Sequence, residues 1–451
     1  MSAGRTQVPA ALAAAVADVA PDDLLPTGRD GAVRGPVRLL AAFHLGGGRW
    51  AAVVRTGDGA LLGVPLRQAD GARPRRARPG DGVAEALLAA LAAAREAQRD
   101  DDAGWRLTAL HPCRAAGERA TDVDQTHESV VVGTPPDPAA VVKWGLHLTP
   151  PRAARLLRHL DAVGFRDVPR PLGSLTWRDP GSGAEVLVAL AAELLPAAQD
   201  GWDWCVDDLL EHLVDPSAGR LRLDAAVAPV GTLGALVARL HRALATPSPV
   251  LPVPVAPAGP DAGARWHAAA LRALADALAL TDGAPGERLA ARAGRVRAAL
   301  APLASTPPGT RVQQVHGDLH VGQVLRWGGG YAVTDFDGNP VLPATGRDEP
   351  QPTERDVAGM LRSLDHVGRI ADRRTEGARR EEVERWIAAA RTAFLAAYDL
   401  PVDPGLLQAF EVEQELREHV YAARHLPRWQ YVPDAALGAL LDGHSYDPSE
   451  T

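Results

Sequence analysis

Three polar side chains between positions 315 and 340 have the types and spacing that phosphoryl transfer requires. Asp318 lies in a His-Gly-Asp triplet, Gln323 follows five positions later, and Asp335 begins an Asp-Phe-Asp triplet. Phosphoryl transfer needs metal ions that bridge the phosphate oxygens and a group that orients the attacking hydroxyl. Magnesium takes oxygen ligands, usually one or two carboxylates together with phosphate and water. We therefore predict that Asp335 and Gln323 hold Mg2+ and that Asp318 accepts the proton of the acceptor hydroxyl.

The same stretch contains a predicted hairpin. Three consecutive glycines at 328–330 form a turn between two short strands, which would hold Asp318 and Asp335 on one rigid element. His316 and Asp337 neighbour these two acids in the sequence, and both are predicted to contact the acceptor.

Lysine occurs once in the chain. Of the 48 basic residues, only Lys143 is a lysine. Because arginine serves at every other basic position, the single ammonium group indicates a place where a planar guanidinium does not fit, such as between phosphates. Lys143 lies in the short apolar stretch 139–144, where a strand is predicted over Ala140–Trp144. The alternative is one lysine retained by chance.

The stretches HGDLHVGQVL, DFDGNP and RDVAGMLRS resemble the kinase-like phosphotransferases, and most closely the actinobacterial maltokinases and the related glucosamine kinases. The resemblance covers about residues 120–435. Two positions depart from the protein-kinase pattern. Gln323 stands where that pattern has a metal-binding Asn, and Asp337 stands where it has the Gly of Asp-Phe-Gly.

The resemblance implies an α+β, bilobal protein-kinase-like fold of the aminoglycoside phosphotransferase type, with an N-terminal cap domain. Residues 1–104 would form the cap, 105–195 the nucleotide-binding lobe with its hinge, and 196–451 a helical lobe with the catalytic and acceptor sites. A chain of 451 residues is long enough for each domain to bury its own core.

The resemblance also places ATP on the second domain. Lys143 occupies the position of the lysine that pairs with nucleotide phosphates. The hairpin before it would cover those phosphates, and segment 189–196 would be the hinge that encloses the adenine. A plain turn and a plain interdomain strand are the alternatives for these two segments. The predicted ATP contacts are Lys143, Gln125, Thr126, Ser129, Glu193 and Leu195.

The segment 411–425 is the second informative stretch. Glu411, Glu415 and His419 recur at four-residue spacing, which places them on one face of a helix. A solvated acidic face is one interpretation. The other is a site for a cationic or polyhydroxyl ligand, because carboxylates favour an ammonium group. Trp429 follows, and an aromatic ring is a common platform for a sugar.

These features predict an ATP-dependent sugar kinase that transfers the γ-phosphate to the 6-hydroxyl of glucosamine. Maltose, phosphorylated at its anomeric hydroxyl, is the alternative acceptor, and an aminoglycoside antibiotic is a third. A pseudokinase-like binding module is the alternative from another class. Gln323 motivates it, as does helix 150–163, which has no Glu to pair with the lysine and only Asp161 as an acid.

Composition argues against several other classes of protein. A net charge of −8 disfavours nucleic acid or an anionic membrane as the main partner. The sequence has no long uncharged apolar span, so no transmembrane helix is predicted. Asp18 interrupts the early Ala-rich run, which favours a helix over a signal peptide. Cys113 and Cys205 are too few for a disulfide framework, so we expect a cytoplasmic protein.

Overall fold

The computed structural model describes residues 10–18, 24, 36–69, 72–94, 99–100, 103–121, 128–214, 220–339, 342 and 344–442. The chain divides into two compact units. The first comprises Met1–Asp161 and Pro169–Pro196, and the second comprises Ala162–Val168 and Ala197–Thr451.

The first unit begins with an antiparallel meander of four strands in sequential order. Its β1–β2 turn uses glycines at positive φ, including Gly47 at 56°, a conformation that side chains with a Cβ rarely adopt. The elements are helix α1 (Ala10–Ala17) and strands β1 (Arg38–Gly46), β2 (Arg49–Arg55), β3 (Leu61–Arg67) and β4 (Arg75–Arg76).

The second sheet of this unit has seven strands in the order β5-β6-β10-β11-β9-β8-β7. Strand β10 was not predicted, because its Pro, Gly and Ser residues are poor strand formers. The elements are α2 (Val83–Ala94), β5 (Arg99–Asp100), β6 (Trp105–Ala109), β7 (Glu118–Ala120), β8 (Glu128–Val132), β9 (Ala140–Trp144), α3 (Arg152–Ala162), β10 (Pro171–Arg178) and β11 (Glu185–Glu193).

The meander has a hydrophobic core on each face, because successive strand residues point to opposite sides. Ala51 and Val53 belong to a core shared with α2 and the seven-stranded sheet. Ala52 and Val54 belong to a second core shared with α1. The residues predicted as separate cap and nucleotide-binding domains therefore share one hydrophobic core.

The second unit is mostly helical, with two short two-stranded sheets. Its elements are α4 (Gly201–Val214), α5 (Arg220–Leu244), β12 (Val255–Pro257), α6 (Ala262–Leu280), α7 (Gly283–Ala304), β13 (Arg311–Gln313), β14 (Val324–Trp327), β15 (Gly330–Val333), α8 (Ala344–Arg347), α9 (Glu354–Arg374), α10 (Arg380–Tyr398), α11 (Pro404–His425) and α12 (Tyr431–Leu441).

Helix α9 is the central helix of the second unit. It packs against α4, α10, α11 and α12, and most of its residues are buried. Several of these buried residues are charged, including Asp356, Arg362 and Asp365. Because a buried charge is tolerated only with a partner, α9 positions the polar groups of the neighbouring helices.

Helix α5 packs along α10. The contact is close at Gly234, where an added Cβ would collide with the carbonyl oxygen of Phe394. Within the described residues, the stretch Leu223–Leu244 of α5 is the one segment with the length and apolar character to cross a membrane. Its packing against α10 is that of a core helix.

Candidate active site

One buried carboxylate, on helix α9, holds the backbone of the loop that carries Asp318. Asp356 of α9 accepts hydrogen bonds from the backbone N–H groups of His316, at 2.6 Å, and Gly317, at 2.8 Å. Its Oδ2 also lies 3.1 Å from Nε2 of His241, whose Nδ1 is 2.7 Å from the Tyr398 hydroxyl. Burial opposes the charge of Asp356, but the bonds to His241 and to the loop hold its pKa below the usual value.

The triplet turns at Gly317, which has a φ of 85° that favours glycine. His316, before it, is completely buried, and its Nε2 donates a hydrogen bond to the carbonyl oxygen of Thr334 at 2.8 Å. This bond joins the loop to the end of β15. The ring is buried and is not among the residues that line the cavity described below, and its predicted contact with the acceptor stays a prediction.

Asp318 projects from this loop into a cavity of the second unit. Burial raises the pKa of its carboxyl to about 6, the nearby His316 opposes the shift, and the charge of Asp335 adds to it. A carboxylate with a pKa near neutrality is suited to accept a proton and release it again. The predicted role of Asp318 as a base therefore fits its surroundings.

Asp335 follows β15 with a φ of 63°, in the left-handed region that residues with a Cβ rarely adopt. Such strain is concentrated at functional sites, where the surrounding structure holds it in place. Its negative charge acts on both Asp318 and His320, so these side chains lie near one another. Asp337 lies near Arg347, on which its charge acts.

Gln323 lies beside Thr334, the residue before Asp335, and its side-chain carbonyl oxygen is a ligand suited to Mg2+. The backbone carbonyl oxygen of Gln323 accepts a hydrogen bond from the N–H of Thr334 at 2.8 Å. Its side-chain Nε2 is 3.3 Å from Nε2 of His320. Within the described residues no three His, Cys, Asp or Glu side chains cluster as a metal site. One carboxylate and one amide oxygen nevertheless fit Mg2+, which binds through few protein ligands together with phosphate and water.

The cavity reached by Asp318 has a volume of about 380 Å³. Aromatic rings form part of its wall: Trp202 stacks on His320 with a centroid distance of 5.8 Å and meets Trp429 edge-on at 6.5 Å. Trp429, predicted to contact the sugar, therefore lines the same cavity as Asp318. The lining residues are Trp202, Asp318, His320, Asn339, Gly359, Arg362, Ser363, His366, Gln414, Arg417, Glu418, Tyr421, Leu426 and Trp429.

Of the two interpretations of the acidic stripe on α11, the solvated face is wrong, because Glu411, Glu415 and His419 are all completely buried. The three residues share one face, as predicted, but they are not among the lining of the cavity, and their role as a ligand site stays a prediction. Glu411 is bonded to Arg391 at 2.6 and 3.0 Å. Burial lowers the pKa of His419 to about 4, and its ring contacts the Gln430 side chain.

Glu411 and Glu415 of α11 belong to a continuous set of ion pairs, here called the α9–α11 network. Glu415 lies 3.0 Å from Nε2 of His366, and Arg362 lies 3.0 Å from Glu411. The paired groups balance, four cations against four carboxylates, when His366 is protonated. The members are Arg362, His366, Arg369, Arg391, Asp365, Glu384, Glu411 and Glu415.

The face of α11 that lines the cavity is rotated from the predicted stripe. It carries Gln414, Arg417, Glu418 and Tyr421. Burial raises the pKa of the Glu418 carboxyl to about 7, His366 opposes the shift, and Glu415 and Asp318 add to it. Sequence reasoning missed this face, although Gln414 and Glu418 show the same four-residue spacing.

The predicted ATP residues that the structure describes lie in the first unit. Lys143 on β9 is directly opposite Ser129 on β8, so the two side chains share one face of the sheet. Leu195 is buried just after β11, and Glu193 ends that strand and lies 3.5 Å from Arg170. The predicted contacts Gln125 and Thr126 lie outside the described residues.

Asp161, the acid of helix α3, has a histidine partner. The Asp161 carboxylate is 2.8 Å from Nε2 of His111.

No family model matches the sequence. A curated glucosamine kinase from Streptacidiphilus jiangxiensis is 43% identical over 449 residues, which cover 94% of this chain and 97% of the relative. The chain belongs to the glucosamine kinase family. A second member, from Mycolicibacterium smegmatis, is 44% identical over 416 residues and matches 89% of this chain and 98% of its own length.

Solved structures of the family share the fold. A glucosamine kinase in complex with glucosamine, ADP and inorganic phosphate is 42% identical, with a TM-score of 0.78 over 95% of this chain and 99% of that protein. Another crystal form of a glucosamine kinase has a TM-score of 0.81 over 95% of this chain and 99% of that protein. Together with the sheets and helices above, these matches identify an α+β kinase-like phosphotransferase.

Proposed function

We propose that the chain transfers the γ-phosphate of ATP to the 6-hydroxyl of glucosamine. Membership of the glucosamine kinase family supports the reaction. The observation that carries the assignment to this cavity is that two carboxylates with raised pKa values, Asp318 and Glu418, line one space of about 380 Å³. One carboxylate can serve the reacting hydroxyl while the other binds the amine.

On the acceptor side, Asp318 orients the 6-hydroxyl and takes its proton as the oxygen attacks the γ-phosphorus. Glu418 binds the ammonium group of the sugar through a charge-assisted hydrogen bond. Gln414 donates to Glu418 at 3.0 Å and so fixes the orientation of that carboxylate. Trp429 and Trp202 provide apolar ring faces against which a sugar can pack.

On the nucleotide side, Lys143 and Ser129 bind the ATP phosphates, and Leu195 and Glu193 lie at the adenine end. The shared face of Lys143 and Ser129 supports the phosphate contacts. The adenine contacts are supported by the position of Glu193 at the end of β11 and of Leu195 just after it. Asp335 and Gln323 would hold Mg2+, which neutralises charge on the phosphates when it is bound.

The same proposal covers the organisation of the chain. Residues 1–104 form the N-terminal cap, 105–195 the nucleotide-binding lobe and 196–451 the acceptor lobe. The expected location is the cytoplasm, supported by the free thiols of Cys113 and Cys205.

The test is an assay of ADP release with glucosamine, glucose and maltose as separate acceptors, followed by mass spectrometry and NMR of the product. We expect glucosamine to give the highest kcat/KM and the phosphate to be on O6. A preference for maltose would overturn the acceptor assignment. ATP binding without turnover of any sugar would overturn the enzymatic assignment in favour of a binding module.

A further inference from the structure

His366 is a buried residue of α9 that also lines the acceptor cavity. Its Nε2 lies 3.0 and 3.1 Å from the two carboxylate oxygens of Glu415. The arrangement presents a ring nitrogen to both oxygens of an acid that is completely buried. Because a buried carboxylate requires a compensating cation, the geometry favours the imidazolium form of His366.

The charges around the ring support the same form. Arg362 is the other cation near Glu415, at 3.9 Å, and it is engaged more closely with Glu411, at 3.0 Å. Without a charge on His366, the α9–α11 network would hold one more carboxylate than it has cations. Burial opposes protonation of His366, but Glu415 raises its pKa above the usual value.

Glu418 lies one helical turn from Glu415 on the same helix, and electrostatic interactions couple both acids to His366. Glu418 accepts a hydrogen bond from the neutral Gln414 amide. The positive charge of His366 favours its ionised form, while Glu415 and Asp318 disfavour it. Charged or titratable groups that act on His366 or lie beside it are Glu415, Glu418, Asp365, Arg362, His320 and His419.

We propose that His366 is a positioning residue for acceptor specificity: as an imidazolium bonded to Glu415, it stabilises the carboxylate of Glu418 and thereby lets the cavity distinguish an ammonium group from a hydroxyl group. This inference rests on the proposed function of Glu418. An ionised Glu418 prefers the ammonium of glucosamine, whereas a protonated one binds the hydroxyl of glucose about equally well. The charge of His366 therefore sets the pH range in which the amino sugar is preferred.

The experiment compares His366→Gln with wild type and with a matched control, His419→Gln. The amide of Gln can still donate to Glu415 but carries no charge, and His419 is a buried histidine outside the cavity. In wild type, kcat/KM for glucosamine should fall on the acidic side with a midpoint near the Glu418 pKa of about 7. In His366→Gln that midpoint should rise by about one unit, since an opposite charge nearby shifts a carboxyl by about that much or more.

At pH 7 the His366→Gln variant should therefore lose about fivefold in kcat/KM for glucosamine, because the ionised fraction of Glu418 falls from about one half to about one eleventh, while kcat at saturation and the affinity for glucose change about twofold or less. His419→Gln should keep the wild-type midpoint. A folded His366→Gln protein with an unchanged midpoint would overturn the inference. Should that variant not fold, NMR of labelled histidine in wild type decides: an imidazolium at pH 7 supports the role, and a neutral ring contradicts it.

Different results would contradict the proposed function and the proposed role of His366. Absence of glucosamine turnover by wild type would remove the proposed function, while the NMR measurement would still report the charge of His366. Normal turnover by wild type, with a pH profile that His366→Gln does not move, would remove only the role of His366.

Discussion

At the scale of single residues, the positions of Asp318 and Asp335 could be predicted from sequence, because both acids lie in short motifs joined by a glycine turn. Asp318 and Asp335 lie where their spacing and the glycine turn placed them, at the two ends of a loop and hairpin. His316 was recognised as part of the motif, but its buried contacts were not predicted. Its burial depends on the backbone of Thr334 and on Asp356, forty positions away, which no local pattern reveals.

Substitution of Asp318 by Asn should lower kcat by about 10²–10⁴-fold, because the amide cannot accept the hydroxyl proton. Nucleotide affinity should stay within about twofold, since the variant keeps the shape of the side chain. Single-turnover kinetics and calorimetric titration of ATP provide the two measurements. Asp276→Asn, at an exposed position on α6, is the matched control. Near-normal turnover by Asp318→Asn would take the residue out of its role.

Substitution of Glu418 by Gln should reduce kcat/KM for glucosamine by about 10–100-fold, the effect of losing a hydrogen bond between charged groups. The affinity for glucose should change little, because Gln still offers a hydrogen bond to a hydroxyl. Steady-state kinetics with both sugars measures the difference, and Glu381→Gln on the exposed side of α10 is the control. An unchanged ratio between the two sugars would exclude Glu418 as the amine contact.

At the scale of elements, helix α11 shows what sequence periodicity can and cannot give. The four-residue spacing correctly grouped Glu411, Glu415 and His419 on one face, but periodicity does not say which face meets a cavity. That depends on the cations that α9 and α10 present to the helix, such as Arg362 and Arg391. Because those partners are distant in sequence, an acidic stripe looked like a surface or a binding site.

The α9–α11 network should make Glu411 important for stability. Replacing Glu411 by Gln removes the carboxylate paired with the partly buried Arg391 and the closest carboxylate of the buried Arg362, which costs about 3–5 kcal/mol in the free energy of unfolding. The control is Asp399→Asn, which breaks an exposed pair with Arg242 and should cost less than about 1 kcal/mol. Urea unfolding measures both. A similar cost for the two variants would contradict the assigned burial effect.

The same helices predict the acid sensitivity of the fold. Cationic partners hold the pKa values of Asp365, Glu411 and Glu413 below their usual values, although burial opposes this. Their contribution is therefore complete above the unfolded pKa of about 4 and is lost as pH falls through the lower folded value. Urea unfolding between pH 6 and pH 3 should show a steadily decreasing free energy of unfolding. A flat profile would contradict the prediction.

At the scale of the whole molecule, the prediction of an α+β kinase-like phosphotransferase was confirmed, and the architecture within the first unit was only partly foreseen. Strand β9 has the predicted bounds, but β10 was absent from the prediction. The division of the meander's side chains between two hydrophobic cores was also not predicted. Alternating residues such as Ala51 and Ala52 look alike in sequence, yet they belong to two different cores.

The assignment of nucleotide and acceptor sites to different units gives a separable prediction. Lys143→Ala should raise KM for ATP at least about tenfold, because it removes a charge-assisted contact to phosphate, and leave glucosamine affinity within about twofold. Lys143→Arg should restore little, since a guanidinium is a planar fork rather than a compact charge. Calorimetric titration of each ligand measures this. Equal weakening of both ligands would contradict the assignment.

The placement of the one lysine on a described strand also has a practical consequence. An acylating reagent that reacts with amines has one side chain to attack in this chain, on β9, apart from the amino terminus. Mass spectrometry of the peptide that contains Lys143 would therefore separate this adduct from one at the amino terminus. If ATP occupies the site proposed for it, the nucleotide slows this adduct in proportion to its occupancy, so the unmodified wild-type chain carries its own reporter of binding.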